Sequence, residues 1–381
     1  MTVAPDQADR SPAPFGDPPS GLPLRRLGRS GISSPALGLG CWAIGGPDHN
    51  LGMPMGWSTA PVDHVALTAL ETGYTAGVRL FDTADVYGHG RSERLVGELV
   101  AQVPRGDIVL VSKVGYFTGT AKHGYSPGHM RRQLEQTLEN LRTDHLDIYF
   151  LHHNEFGPED RWLPGAVEAM RTFQGEGLIR AVGMRGPHRF APERLHANPG
   201  IRSDKVTRFR ELFEVVRPQV LAVRDNLLTP AERSTGLFEF ATHHQVGVLI
   251  NKVLGQGLLA GGYDRKHPVV FSDGDHRLRK RWFTPPARAL IEEGLSRIRE
   301  VIGPAPTEPL ELVRVMVWAA LSRSQNAVAL TGFTSPGQVR MNVAALAMGP
   351  PSSAVLDTAR EIMSSVAARL DAEGEVFIDE R

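Results

Sequence analysis

The sequence predicts an α/β fold: a parallel barrel of eight βα units, preceded by a short β-hairpin and followed by two extra helices. Short runs rich in Val, Ile and Leu alternate with helical stretches along most of the chain. That alternation marks repeated βα units around a parallel sheet. The 381 residues accommodate two small domains or one large α/β barrel, and the period selects the barrel. Four polar residues, Asp82, Tyr87, Lys113 and His152, fall at the ends of predicted strands. Strands of such a barrel all point one way, so these residues converge on its C-terminal face, where active sites form.

The elements follow in order. Residues 22–28 and 31–35 form the hairpin, turning around Arg29, Ser30 and Gly31. Strands are expected at 36–42, 78–83, 107–113, 145–152, 178–184, 218–223, 246–253 and 327–333. Helices are expected at 60–76, 92–102, 126–142, 163–175, 205–216, 230–243 and 307–322, with two more at 336–347 and 353–372. In the third helix Ser126 is the expected N-cap and Pro127 the first helical residue. Two loops exceed a minimal barrel, 115–125 after the third strand and 261–286 after the seventh. Both lie on the C-terminal side, where loops line or cover a site.

Composition narrows the function classes. Lys plus Arg and Asp plus Glu each number 42, so no charge excess recruits nucleic acid or an anionic membrane. No apolar run reaches bilayer length. Residues 1–21 are rich in Pro, Ser, Gly and Asp and lack a basic-then-apolar leader pattern. They are expected to be a disordered tail, with residues 22–381 forming one barrel domain. Cys41 is the single cysteine, which excludes an internal disulfide and a cysteine metal cluster. His123, His129 and His267 are scattered without metal spacing. A cytoplasmic protein is the resulting expectation.

A phenol, an ammonium, a carboxylate and an imidazole together suit proton transfer to or from a carbonyl oxygen. Taken singly, each has a structural explanation: an N-cap, a half-buried aromatic, a solvated strand end, a satisfied histidine. Together, in order and at strand ends, they favour catalysis. His153 is the weaker histidine, because strand alternation turns it away from His152.

Several segments resemble the aldo-keto reductase family. FDTADVYGHGRSERLVGEL, SKVG and LDIYFLHH resemble the segments carrying the Asp and Tyr, the Lys and the His; GQGLLAGGY and VALTGFTSPGQVRMNVAAL resemble two cofactor segments. Order and spacing agree from about Leu22 to Leu346. The resemblance implies a (β/α)8 TIM barrel and reduction of an aldehyde or ketone with NADP(H). It implies no metal, and a catalytic tetrad of Asp82, Tyr87, Lys113 and His152. Tyr87 would be the general acid, tuned downward by Lys113, which Asp82 holds, and His152 would orient the carbonyl. The family's cofactor positions fall on Leu254, Gly255, Gln256, Gly257 and Leu258 over the pyrophosphate. They continue on Gly332, Phe333, Thr334, Ser335, Gln338 and Asn342 around the adenosine half; Arg340 is a candidate for a 2′-phosphate. Trp42, Trp57 and Tyr116 are expected near the mouth, as a substrate wall or as rim packing.

Four segments depart from the family. Arg185 and Gly186 replace Ser-Asn after the fifth strand. Ala222 and Asp225 stand for a Gln and a Tyr at the sixth. Asn251, Lys252 and Val253 replace an aromatic Tyr-Ser-Pro at the seventh, and Met341 replaces a Glu. Arg185, Arg224, Asp225 and Lys252 add charge to this face. Pairing of Arg185 or Lys252 with Asp225 is the simplest outcome; a pocket shaped for an anionic or polar substrate is the sharper one. Three functions follow: an NADPH-dependent carbonyl reductase, a redox-neutral enzyme on the same barrel, or a non-catalytic nucleotide sensor resembling the potassium-channel β-subunit branch. The reductase is preferred, acting on a small-molecule carbonyl.

Overall fold

The computed structural model describes residues 21–58, 60–188, 204–231, 236–263, 271–272, 275–304 and 309–372. The expected tail, except Gly21, and His267 lie outside the described residues. Eight strands form a closed parallel barrel: β1 (Leu37–Gly40), β2 (Leu80–Asp82), β3 (Val109–Val114), β4 (Leu146–Leu151), β5 (Ile179–Arg185), β6 (Val220–Arg224), β7 (Gly247–Asn251) and β8 (Ala327–Gly332). Each pairs with the next in sequence, and β8 closes on β1 through Leu330–Gly38 and Thr331–Leu39. The predicted (β/α)8 architecture is therefore present. The expected hairpin pairs Leu24–Arg26 with Ser33–Pro35.

Helices α1 (Asp63–Thr75), α2 (Arg91–Val100), α3 (Pro127–Leu141), α4 (Leu163–Gly175), α5 (Lys205–Val216) and α6 (Leu237–His243) surround the first seven strands. Then come α7 (Pro285–Ile302), α8 (Leu310–Leu321), α9 (Pro336–Ala347) and α10 (Ser353–Ala372). Three details differ from expectation. Ser126 occupies the N-cap position of α3, but its hydroxyl donates to the His123 carbonyl and caps nothing. Helix α6 begins at Leu237 rather than at 230, with 232–235 outside the described residues. Helix α7 was not predicted at all. Its signals are local: Thr284 accepts from the Ala287 amide, Pro285 takes the first turn, and Ala287, Ile291, Leu295 and Ile298 bury one stripe. Among the described residues, no helix is long and apolar enough to cross a membrane.

The barrel wall obeys the period of two. Alternate residues point inward and fill the interior: Leu80, Val109, Val111, Ile148, Phe150, Ala181, Val220, Leu249, Val328 and Leu330. Leu27 and Ile32 of the hairpin region join this cluster, and Gly28 bridges to Val246 at the start of β7. The hairpin thus plugs the N-terminal end and leaves the C-terminal end open. The remaining strand residues face the helices and form the larger outer core.

Gly183 shows how tightly the interior is filled. A Cβ there would stand 2.5 Å from the Phe150 ring, a rigid side chain with no exposed surface. Gly183→Val is expected to destabilise the protein by about 1–3 kcal/mol through overpacking. Urea unfolding checks this; a midpoint equal to wild type would mean that the interior has slack.

Candidate active site

The period of two carries chemistry when each inward row is followed to its C-terminal end. Leu80 leads to Asp82, Val111 to Lys113, Phe150 to His152, Gly183 to Arg185 and Leu249 to Asn251. All five end residues line one cavity of about 700 Å³. Tyr87 reaches it from the turn after β2. That turn lies against the helical turn Trp42–Gly45 so closely that a Cβ on Gly88 would meet the Gly45 carbonyl oxygen at 2.0 Å. Glycine at position 88, with φ +61°, permits the approach. The Trp42 and Tyr87 rings are then 6.0 Å apart.

Lys113 is buried and donates from Nζ to Asp82 Oδ1 at 2.7 Å and to the Thr83 carbonyl. The same Nζ stands 4.9 Å from the centre of the Tyr87 ring. Burial works against the ammonium, but Asp82 and Tyr87 outweigh it and hold the Lys113 pKa above the ordinary lysine value. Burial raises the Tyr87 phenol, and Lys113 opposes without cancelling the effect. The expected downward tuning of Tyr87 is therefore corrected: desolvation wins, and the phenol is fully protonated at neutral pH. His152 packs edge-on to Tyr87 at 6.0 Å and to Tyr116 at 4.8 Å. Burial, Lys113 and Arg185 push its pKa well below the usual histidine value, so its ring is neutral. Its Nδ1 is buried without a partner, which leaves Nε2 as the nitrogen open to the cavity. His153 does not line the cavity and packs instead at a tilt against Tyr125, with ring centres 4.5 Å apart.

Trp42, Trp57, Tyr116, Arg185 and Lys252 all line the same cavity. Of the expected cofactor positions, Leu254, Gln256, Gly257, Gly332, Phe333, Thr334, Gln338 and Asn342 do so too. Gly255, Leu258 and Ser335 do not: Leu258 is core, and Ser335 caps α9 by accepting from the Gln338 amide. Arg340 is exposed on α9 and outside the cavity. The Asn342 Nδ2 and Asn251 Oδ1 atoms are buried without partners. Orphaned polar atoms along one cavity fit a large polar ligand better than an apolar one.

The expected pairing of Arg185 with Asp225 is not formed. Asp225 is buried outside the cavity, accepts from the Ala231 amide at 2.7 Å and lies 3.7 Å from Arg323 Nε. Arg224 is exposed. Lys252, at φ +61°, brings its Nζ to 5.7 Å from the Trp42 ring.

The expected loop 261–286 does reach the site, but sequence reasoning singled out none of its lining residues: His276, Arg277, Arg279 and Lys280 contribute to the wall. Asp275 anchors it. It accepts from Arg277 Nη2 at 2.6 Å and from Ser58 Oγ at 2.8 Å, tying this segment to the loop after β1. Arg277 lies 4.1 Å from the Trp57 ring centre. The His276 Nδ1 faces the Gly56 carbonyl at 2.8 Å. A carbonyl only accepts, so Nδ1 carries the proton and Nε2 accepts from the Gln256 amide. His276 thereby fixes Gln256, one of the expected cofactor positions, while its ring lies 4.3 Å from Trp42. No local pattern announces the contacts to Ser58, Gly56, Trp57 and Trp42, because they join segments more than 200 residues apart. Among the described residues, no group of three or more His, Cys, Asp or Glu could hold a metal ion.

Comparison with known proteins gives the class. The model of the Aldo/keto reductase family matches residues 36–363, and the chain belongs to that family of oxidoreductases. The NADH-specific methylglyoxal reductase of Escherichia coli is 26% identical over 84% of this chain and 92% of its own. The aldo-keto reductase YhdN of Bacillus subtilis is 25% identical, covering 81% and 84%. The glycerol dehydrogenase AKR11B4 of Gluconobacter oxydans has the same fold, with TM-score 0.65 and 23% identity over 91% and 95% of the two chains. A Klebsiella pneumoniae aldo-keto reductase in complex with NADPH superposes with TM-score 0.57 at 23% identity over 92% and 94%.

Asp275 yields a test of the wall. Burial alone would raise its carboxyl, but Arg277 and Ser58 hold it well below the ordinary carboxylate range. Its stabilising effect is therefore complete above about pH 4 and fades as the pH falls further. Melting of wild type and Asp275→Asn from pH 7 to pH 3 should show a gap that narrows in acid. A gap independent of pH would remove the ion pair from this account.

Proposed function

We propose that the protein reduces an aldehyde or ketone to an alcohol with NADPH, Tyr87 acting as general acid. One observation carries this: Tyr87, His152 and the buried Lys113–Asp82 pair meet in one cavity that residues at the start of α9 also line. NADPH, when bound, supplies the hydride. Gly332, Phe333, Thr334, Gln338 and Asn342 would hold its adenosine half, and Leu254, Gln256 and Gly257 its pyrophosphate. The N-terminus of α9 suits phosphate through the positive end of its helix dipole, although the Ser335 hydroxyl already takes the Gln338 amide.

A carbonyl that accepts hydride gains negative charge on oxygen, and donors must already face that oxygen. Tyr87 holds its proton at neutral pH and gives it up there. The resulting phenolate is stabilised by the Lys113 ammonium, kept charged and in place by Asp82. A neutral His152 donates from Nε2 and orients the carbonyl without competing for the proton. Trp42, Trp57 and Tyr116 exclude water from the developing charge.

Tyr87→Phe keeps the ring and removes the proton donor. It should lower kcat/KM for aldehyde reduction by about 10²–10⁴-fold while nicotinamide fluorescence reports NADPH binding as in wild type. Undiminished turnover would sink the assignment to Tyr87. The reductive rate requires protonated Tyr87, whose pKa is raised by burial, so it should stay level through neutral pH and fall only in strong alkali, beyond the range of an ordinary phenol. NADPH and NADH titrations followed by tryptophan quenching test the cofactor: tighter NADPH binding is expected. Binding of neither nucleotide would favour a redox-neutral enzyme on this barrel.

A further inference from the structure

We propose that Arg185 anchors a carboxylate on the substrate, so that the preferred substrates are 2-oxo acids. This deepens the carbonyl-reductase reading and rests on it.

Arg185 is held in place by the register of the wall. β4 and β5 pair Phe150 with Gly183 and Leu151 with Met184, so the next step sets His152 beside Arg185. Neighbouring strands lie about 4.8 Å apart. On the other side Arg185 pairs with Ala222, whose methyl group leaves room beside the guanidinium. The carbonyl oxygen that meets His152 therefore has Arg185 as its next neighbour around the rim. A carboxylate bonded directly to the carbonyl carbon falls within that one-strand step.

Charge makes the same argument. Among the described residues Arg185 forms no hydrogen bond or ion pair, and its Nε is buried without a partner. Two carboxylates line the cavity, and each is engaged: Asp82 by Lys113 at 2.7 Å and Asp48 by His89 at 2.7 Å. A partly buried guanidinium without an anion is costly, and its planar fork matches a carboxylate through two parallel hydrogen bonds. The residues suited to cofactor phosphates follow β7 and β8, whereas Arg185 ends β5, with β6 intervening. The cofactor's phosphates would therefore be bound away from Arg185.

The test compares phenylglyoxylate with its methyl ester, which share a ketone and differ in charge, using wild type and Arg185→Gln with NADPH. Wild type should prefer the acid. In the variant the acid-over-ester ratio of kcat/KM should drop about 100-fold, the loss of a charge-assisted pair, mainly through KM, with partial rescue by Arg185→Lys. NADPH affinity and melting temperature of both variants are measured in parallel. An unchanged ratio overturns the proposal. Equal losses on acid and ester with weakened NADPH binding also overturn it and assign Arg185 to the cofactor. Should neither compound turn over, the reductase reading fails separately. Calorimetry of phenylglyoxylate binding in the presence of NADP+ then decides Arg185: weaker binding to Arg185→Gln supports the anchor, and equal binding refutes it.

Discussion

The buried pair of Lys113 and Asp82 is the constraint on which the site depends. An ammonium with 3% exposed surface is costly unless a carboxylate meets it, and Asp82 does so at 2.7 Å. Asp82 ends β2 in register with Val111, and Lys113 lies two residues further along the neighbouring β3, on the same inward row. The pairing of β2 with β3 thus fixes the distance before any ligand enters. Tyr87 then faces a preset charge, and His152, one strand further, is kept neutral by burial and by that same charge. A parallel barrel concentrates such residues because all its strands end on one face, while the hairpin closes the opposite end with Leu27 and Ile32.

Around this centre the wall is assembled from distant parts. The loop after β1 supplies Trp42 and Trp57, and the segment after β7 supplies His276 and Arg277. Asp275 and His276 join them through Ser58 and Gly56. These contacts order a large opening without a continuous stretch of secondary structure. The cavity is basic in character, since Arg185, Lys252, Arg277, Arg279 and Lys280 line it together with the carboxylates Asp48 and Asp82.

Much of the fold was legible in the chain. The eight Val, Ile and Leu runs appear as the eight strands, and α1 to α5, α9 and α10 lie within a few residues of their expected bounds. Helix α7 escaped because the polar segment before it masked its start, although Thr284 and Pro285 marked the boundary. The grouping of Asp82, Lys113 and His152 was legible from strand ends, whereas Tyr87 enters from the turn after β2. The direction of the Tyr87 shift was not legible, because a charge can be read from a motif but the depth of burial cannot.

The period of two by itself determined which residues face the barrel interior, since a strand side chain has only two faces to choose from. It therefore placed Asp82, Lys113 and His152 together and turned His153 away. Only the tertiary structure decided the partners. It gave Asp225 to Arg323 and the Ala231 amide, left Arg185 outside any ion pair among the described residues, and brought His276 to Gln256 and Trp42. Local sequence specifies direction through backbone geometry, whereas pairing and desolvation depend on which remote segments close over the rim.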